Sequence, residues 1–186
     1  MPTIMTHGVA AAALATVFPN RLVPPRVVFA GVVCSIVPDL DVLGILFRAH
    51  PLLGHRGITH SLLFATAVAS LASAILFAGA PLSGSRVRAW IYLMLASASH
   101  GLLDAMTDRH GLGIPFFWPF DSTRYFFPFA PIAMSPIGTD FFSARGLATL
   151  ASELKWVWLP SVAFAVAAVL CRRVFARRKV VQSHRT

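Results

Sequence analysis

The sequence predicts an all-α fold, a polytopic membrane bundle of about five helices with an interfacial loop rich in aromatic residues and proline. Of the 186 residues, 56% are hydrophobic and only 12% are charged, which is roughly half the charged share of a soluble domain. The mean hydropathy is +0.71. A water-soluble fold of this size needs more polar surface than this composition supplies, so the lipid bilayer is the solvent that fits the chain.

Apolar runs predict where the helices lie. A hydrocarbon core about 30 Å thick needs about 20 helical residues. Four runs reach or approach that length, at 27–47, 60–80, 87–106 and 156–175. A fifth run, 4–18, is shorter, and it either spans the bilayer with help or packs as a half-buried helix.

The segment 107–155 differs from these runs because it is dense in Phe, Pro and Trp. Its prolines are too many for a regular spanning helix, and its aromatic side chains suit the membrane–water interface. We therefore predict an interfacial loop or lid, in which Glu153 is solvated or paired with an arginine. Residues 1–180 form a single domain in this interpretation, and 181–186 are a basic tail.

Basic residues predict the orientation. The net charge is +9. Counted along the chain, ten of the sixteen Lys and Arg residues lie between the first and second runs, between the third and fourth, or at and beyond the end of the last run, 156–175. With five crossings these places share one side of the membrane, which the positive-inside rule makes the cytoplasm. The C-terminus is then cytoplasmic and the N-terminus faces outward. Nucleic acid is not an expected partner, because the basic residues are not interleaved with aromatic residues on a polar face.

Candidate metal ligands lie toward the outer side in this topology. They are imidazoles and carboxylates near the outer ends of the predicted spans: His7, Asp39, Asp41, His55, His60, His100 and Asp104. An ionisable group inside a span costs roughly 2.5–3.5 kcal/mol and is a candidate for function on that ground. A divalent cation would offset the cost, because carboxylates and neutral imidazoles are its ligands.

His100 and Asp104 are the most specific pair. With an i, i+4 spacing they project from one helix face one turn apart, and His110 is close enough in sequence to fold back over them. The alternative is a His–Asp hydrogen bond that packs two helices together.

The motif PDLD at 38–41 adds two carboxylates. Pro38 interrupts the helix at this point, and freed backbone groups are tolerated there beside a polar cavity. Either Asp41 or Asp39 is the predicted ligand. The alternative is that Asp39 caps a helix while Asp41 is solvated.

The motif GHRGITHS at 54–61 brings two imidazoles, His55 and His60, to the start of a helix. Helix N-termini attract anions, and Arg56 adds a forked donor that can hold a phosphate oxygen. The alternative is that Arg56 is only an interfacial charge.

Together these motifs resemble the YdjM-like family of inner-membrane, LexA-binding, metal-dependent hydrolases. The matching positions are His7, PDLD at 38–41, HRGITHS at 55–61, the pair His100 and Asp104, and GIPFFWPF at 113–120. That family is similar to the superfamily of zinc-dependent phospholipase C and single-strand nucleases. Those all-helical enzymes use an early His, an Asp, a His and then H-x-x-x-D-x5-H.

The resemblance implies a set of metal ligands in the same order: His7, Asp41 (or Asp39), His60, His100, Asp104 and His110. A later H-x-x-x-E/D pair of the superfamily has no counterpart, because no His occurs between 110 and 184. One or two divalent ions are therefore expected, with zinc first and Mn or Mg as alternatives.

The expected reaction is hydrolysis of a phosphoester in a phospholipid or lipid-linked phosphate at the outer face of the membrane. The first ion would be held by Asp41, His60, His100 and Asp104, and a second would use His7 and share Asp104. The catalytic roles fall to three further residues. Arg56 would balance developing negative charge, and Asp39 or His55 would orient the nucleophile.

A second function remains open from sequence, that of a non-enzymatic metal-binding, transport or regulatory membrane protein. A transporter needs polar residues across the whole membrane. The inner halves of the predicted spans consist of Ala, Val, Leu and Phe, which favours a site on one side.

Overall fold

Five helices make up the fold of the part of the chain that the structure describes. The computed structural model describes residues 1–42, 56–107, 113–136 and 138–183, the last seven as backbone only. The helices are α1 (Ile4–Ala15), α2 (Pro25–Ile36), α3 (Leu62–Leu76), α4 (Gly84–Ala105) and α5, which begins as Ala144–Glu153, passes through a π-helical segment, Leu154–Trp158, and continues as Leu159–Ser183. No β-strand occurs within those ranges, so the all-α prediction is confirmed for them.

Local sequence sets the helix starts. Pro25 is the first residue of α2, where the missing N–H of proline costs nothing. The side chains of Ser61, Ser83 and Ser143 accept backbone N–H bonds at the starts of α3, α4 and α5. Each serine satisfies a donor that the first helical turn leaves unpaired.

The core lies where α4 packs against α1, α2 and α3. Tyr92 of α4 is fully buried, and its hydroxyl lies 3.2 Å from the carbonyl of Ala11 and 3.3 Å from that of Val28. A Cβ added to Gly31 would come within 2.3 Å of the Tyr92 hydroxyl oxygen. The missing side chain of Gly31 is therefore what lets α2 approach α4 this closely.

Helix length limits how many membrane crossings the structure supports. Among the described residues, one helix is long and apolar enough to cross a bilayer, Ala144–Ala176. Only 6% of its most apolar 18-residue stretch is buried inside the protein. The apolar helices Ile4–Ala15 and Leu62–Leu76 are shorter. Large apolar side chains such as Phe29 (70% exposed) lie on the surface, as expected for contact with lipid. The five-span topology stays a prediction.

Two segments differ from the sequence-based boundaries. Within the predicted loop 107–155, residues Ala144–Glu153 are helical, because Ser143 caps the start and the prolines of the segment end at Pro136. In the predicted span 27–47, α2 ends at Ile36 and a 3₁₀ turn follows, because Pro38 cannot continue the α-helical hydrogen bonds. Residues 43–47 lie outside the described part.

The segment 113–136 folds over the C-terminal end of α4. Ile114 and Tyr125 exchange backbone hydrogen bonds of 3.0 and 2.9 Å, and the carbonyl of Phe116 accepts from the N–H of Leu62. Hydrogen bonds from Thr123 and then from Tyr125 hold the pKa of the Asp121 carboxyl below its usual range. This segment therefore encloses the end of the bundle where the candidate ligands lie.

Candidate metal centre

Four elements bring imidazoles and carboxylates to one buried point. His7 comes from the first turn of α1, Asp39 from the 3₁₀ turn after α2, His60 from the 3₁₀ turn before α3, and His100 and Asp104 from α4. Their exposed fractions are 0%, 6%, 4%, 0% and 1%. The convergence of these five side chains agrees with the sequence-based prediction.

The ligand atoms are spaced as the edges of a coordination polyhedron. The Nε2 atoms of His60 and His100 are 3.0 Å apart. His60 Nε2 is 3.4 Å from Asp104 Oδ2, and His100 Nε2 is 3.5 Å from Asp39 Oδ1. Metal–ligand bonds of about 2.0–2.1 Å in a tetrahedral site place neighbouring ligand atoms about 3.3 Å apart. The observed distances bracket that value.

Hydrogen bonds at the far ring nitrogens fix the orientation of both histidines. His100 Nδ1 lies 2.8 Å from the carbonyl oxygen of Ser35, which only accepts, so this nitrogen carries the proton. His60 Nδ1 lies 3.2 Å from Asp41 Oδ2 and 3.0 Å from Thr59 Oγ1. Since the Thr59 hydroxyl donates to Asp41 at 2.7 Å, the His60 Nδ1 must donate too.

With both imidazoles neutral, this protonation pattern turns two Nε2 lone pairs toward each other at 3.0 Å. Two such lone pairs repel, whereas a bound cation would make the arrangement favourable. A ring N–H held by a carbonyl or carboxylate is also what orients metal-binding histidines in proteins. The donor set therefore fits a divalent ion of the zinc type.

Other buried polar atoms of the cluster have no hydrogen-bond partner among the described residues. They include both ring nitrogens of His7 and both carboxylate oxygens of Asp39. The His7 ring stacks on that of His100, and its Nε2 is 3.6 Å from Asp104 Oδ1. An unsatisfied buried group costs about 1–3 kcal/mol, and the acceptor nitrogen of His7 and the oxygens of Asp39 are atoms that can bind a cation.

The charges of the buried groups lead to the same conclusion. Asp39, Asp41 and Asp104 are at most 7% exposed, and Arg56 is 2% exposed. With neutral imidazoles, three carboxylates and one guanidinium leave a net charge of −2. Burial of uncompensated charge is costly, and one divalent cation would balance these four groups.

Arg56 contacts two of the three buried aspartates, Asp104 and Asp41. Its Nε is 3.0 Å from Asp104 Oδ2, and its backbone N–H donates to Asp41 Oδ2 at 2.9 Å. Its φ is +59°, a left-handed conformation that non-glycine residues seldom adopt. The carbonyl of Arg56 accepts a hydrogen bond of 2.9 Å from Arg124. In this arrangement Arg56 positions Asp104, and its role toward a phosphate stays a prediction.

The two aspartates of the PDLD motif have different surroundings. Asp39 Oδ1 faces His100 Nε2, and Asp39 belongs with His7 and His100 to one group whose ligand atoms lie within 4.8 Å of one another. Asp41 instead contacts His60 Nδ1, Thr59 and the N–H of Arg56. Of the two aspartates that the sequence left open as ligand, the geometry favours Asp39, and it places Asp41 where it orients His60.

Gly101 allows α4 to pass close to the His60 turn. A Cβ at Gly101 would come within 2.9 Å of the carbonyl oxygen of His60. Two predicted site residues, His55 and His110, lie outside the described residues.

The prediction for the surroundings of Glu153 was wrong. It is fully buried rather than solvated or paired with an arginine. Its carboxylate accepts from the backbone N–H of Thr3 at 2.6 Å, and from the hydroxyls of Thr3 and Thr6 at 2.7 Å each. Since Thr6 precedes His7, Glu153 fixes the turn of α1 that carries this histidine.

A cavity of about 510 Å³ adjoins the cluster of His and Asp side chains (called the metal cluster below). Its walls are largely apolar and include Met5, Leu40 and Phe141. Asp39 borders the cavity, while its carboxylate oxygens are buried on the side of the metal cluster. An apolar chain would fit such a cavity.

Comparisons with known proteins identify the family. A family profile described as YdjM inner membrane protein matches residues 1–180. The chain belongs to the YdjM inner membrane protein family. It is 35% identical over 166 residues to the inner membrane protein YbcI of Escherichia coli (strain K12), which covers 87% of this chain and 94% of that protein. No solved structure matches the chain.

Membership of the YdjM family confirms the predicted family and the inner-membrane location. These names do not address hydrolysis, a metal or the number of spans. Those three remain predictions.

Proposed function

We propose that this protein is a membrane-embedded, metal-dependent hydrolase that cleaves a phosphoester of a lipid or lipid-linked substrate. The observation that carries the proposal is the pair of Nε2 atoms on His60 and His100, which face each other at 3.0 Å while both Nδ1 atoms are committed to other partners. With both imidazoles neutral, no proton lies between these two Nε2 atoms, whereas a structural His–His hydrogen bond requires one.

In the proposed site each residue has a distinct task. One ion would be held by Asp39, His60, His100 and Asp104. A second ion would be held by His7 and by the other carboxylate oxygen of Asp104. Bound there, a divalent ion would polarise a phosphoryl oxygen and lower the pKa of a water molecule. Asp41 and the carbonyl of Ser35 orient the two histidines, and Arg56 fixes Asp104.

The substrate class follows from the cavity beside Asp39. Its apolar walls suit an acyl or prenyl chain, and Asp39, which borders both the cavity and the metal cluster, would bring the phosphate of such a lipid close to the ion. Ser135 and Phe141, from the segment predicted to be an interfacial loop or lid, contribute to these walls. We further propose that the chain crosses the membrane several times and that the site faces the outer side.

The test is metal analysis combined with turnover on detergent-purified protein. Wild type, His100→Ala, Asp104→Asn and a matched control, Asp140→Asn, are loaded with zinc, desalted and assayed on a panel of phospholipids and prenyl phosphates. Asp140 is exposed. We expect about one or two zinc ions in wild type and control, and a loss of metal and turnover in the two site variants.

Two results would contradict the proposal at different levels. Wild type that retains no more zinc than the His100→Ala variant would exclude the metal centre itself. Stoichiometric zinc without turnover of any phosphoester in the panel would exclude the hydrolase and leave a metal-binding membrane protein.

A further inference from the structure

A second cavity lies at the opposite end of the bundle from the metal cluster. It has a volume of about 940 Å³ and is bounded by the end of α1, the connection to α2 and the C-terminal part of α5. Arg21, Arg172 and Arg173 contribute to its lining, and apolar walls are provided by residues such as Val169 and Phe175. The proposed hydrolase uses none of these residues.

The two sites are separated by the length of α1. His7 lies in the first turn of α1, whereas Ala15 and Thr16 at its other end line this cavity. Eight helical residues at about 1.5 Å each put roughly 12 Å between the two ends. The cavity is therefore distinct from the metal centre and from the 510 Å³ cavity beside it.

Among the described residues, the lining of the cavity carries positive charge and no acidic side chain. All seven Asp and Glu residues of the chain occur within 39–41, 104–140 or at 153. The described residues that line the cavity lie within 12–28 and 169–176, and none of them is acidic. Three guanidinium groups around one cavity repel one another, so an anion from outside the chain would stabilise the arrangement.

One of the arginines is held in place. Arg172 is half-buried, and its Nη1 donates to the carbonyl of Phe18, in the turn that follows α1. A guanidinium has five N–H donors in a rigid fork that matches the oxygens of a phosphate. Arg172 is thus positioned at the cavity, while Arg21 and Arg173 are exposed beside it.

We propose that this cavity binds the phosphate of an anionic phospholipid, with an acyl chain along Val169 and Phe175. The arginines would recognise the phosphodiester, and the apolar walls would distinguish a lipid from a soluble phosphate. A basic pocket between helices at the membrane surface is the physical setting in which anionic head groups bind. An inner membrane protein meets such lipids at high local concentration.

The test compares lipid binding by the full-length protein and by charge variants. Binding is measured by native mass spectrometry and by thermal shift with phosphatidylglycerol, phosphatidylcholine or inorganic phosphate added to the detergent-purified protein. The cavity variant is Arg21→Gln/Arg173→Gln, which spares the Arg172 contact with Phe18. The control is Arg86→Gln/Arg88→Gln, which removes the same charge from residues outside the cavity lining.

We expect wild type and control to bind phosphatidylglycerol at least about tenfold more tightly than phosphatidylcholine. The cavity variant should lose most of that preference while its melting temperature without lipid stays at the wild-type value. Equal loss in the control would show that only overall charge matters and would overturn the site. Equal stabilisation by inorganic phosphate would overturn the assignment to a lipid. Since none of these residues lies in the metal cluster, metal content is a separate readout, and failure of the hydrolase proposal would not affect this result.

Discussion

The imidazole ring of His7 stacks on that of His100, with centroids 3.8 Å apart and planes inclined by 21°. The contact joins the first turn of α1 to the C-terminal half of α4, and both rings are fully buried. With Asp39 and His60 added, the cluster connects four segments that are distant in sequence. An ion bound to these side chains would therefore bind the folded state and stabilise the bundle.

Chelation should lower the thermal stability of the protein. At an ion concentration of about 100 times the dissociation constant, binding contributes about 2.7 kcal/mol, which corresponds to roughly 5–10 °C for a chain of this size. We expect EDTA to lower the melting temperature of zinc-loaded wild type and of Asp140→Asn by that amount, measured by differential scanning fluorimetry. In His100→Ala, zinc and EDTA should give the same melting temperature. An unchanged wild-type value with EDTA would argue against a metal that links these helices.

Asp39→Asn and Asp41→Asn should differ in their effect on the metal. Asp39 faces the Nε2 atom of His100, which is a proposed metal ligand. Asp41 contacts the Nδ1 atom of His60, which points away from the proposed ion. We expect Asp39→Asn to abolish zinc retention. Asp41→Asn should retain zinc with an affinity lowered by about 10–100-fold, as is typical when an outer partner of a ligating histidine is lost. Competition with a fluorescent chelator measures both affinities. The reverse order would restore Asp41 as the ligand.

The difficulty of choosing between these aspartates from sequence has a geometric cause. His100 and Asp104 were predictable because four residues on an α-helix return to the same face. Asp39 and Asp41 lie in the 3₁₀ turn Val37–Asp41, where three residues complete a turn and positions i and i+2 point in different directions. Which of the two faces the cluster depends on how the turn packs, and the spacing alone does not settle it.

The role of Glu153 was hidden for another reason. Its partners Thr3 and Thr6 are about 150 residues away in sequence, and no local pattern links them. The sequence did predict the all-helical class and the convergence of His and Asp side chains at one end of the bundle. The helix at 144–153 was not predicted. The aromatic residues and prolines that predict a loop lie before residue 144, and the loop prediction was extended to the whole segment 107–155.

Removing the Glu153 carboxylate should loosen the start of α1. Glu153→Ala would leave the N–H and hydroxyl of Thr3 and the hydroxyl of Thr6 without their acceptor. At about 1–3 kcal/mol for each unsatisfied buried group, we expect a clear fall in melting temperature. Because Thr6 adjoins His7, zinc affinity should fall as well.

The isosteric change provides the comparison for that experiment. Glu153→Gln keeps one acceptor oxygen and should lose less than half as much stability as Glu153→Ala, while Asp140→Ala at an exposed position should match wild type. Circular dichroism melts and zinc competition measure the two effects. If Glu153→Ala kept both wild-type stability and zinc affinity, Glu153 would have no part in positioning His7.

The orientation of the site can be measured with single cysteines at the two ends of the bundle. Cys34 is buried and Cys171 is exposed, so Cys171→Ser gives a background with low reactivity. Ser122 and Ser85 are both exposed, the first in the segment over the metal cluster and the second at the start of α4. Their substitution by cysteine marks the two ends without altering the cluster.

In spheroplasts treated with a membrane-impermeant maleimide, we expect Ser122→Cys to be labelled and Ser85→Cys to be protected until the membrane is permeabilised. The physical reason is that the short basic segments, including Arg86 and Arg88 next to Ser85, are retained on the cytoplasmic side. Labelling of Ser85→Cys alone would invert the topology and place the metal cluster toward the cytoplasm. Labelling of both without permeabilisation would mean that the two ends of the bundle lie on the same side, and the five-span arrangement would then be wrong.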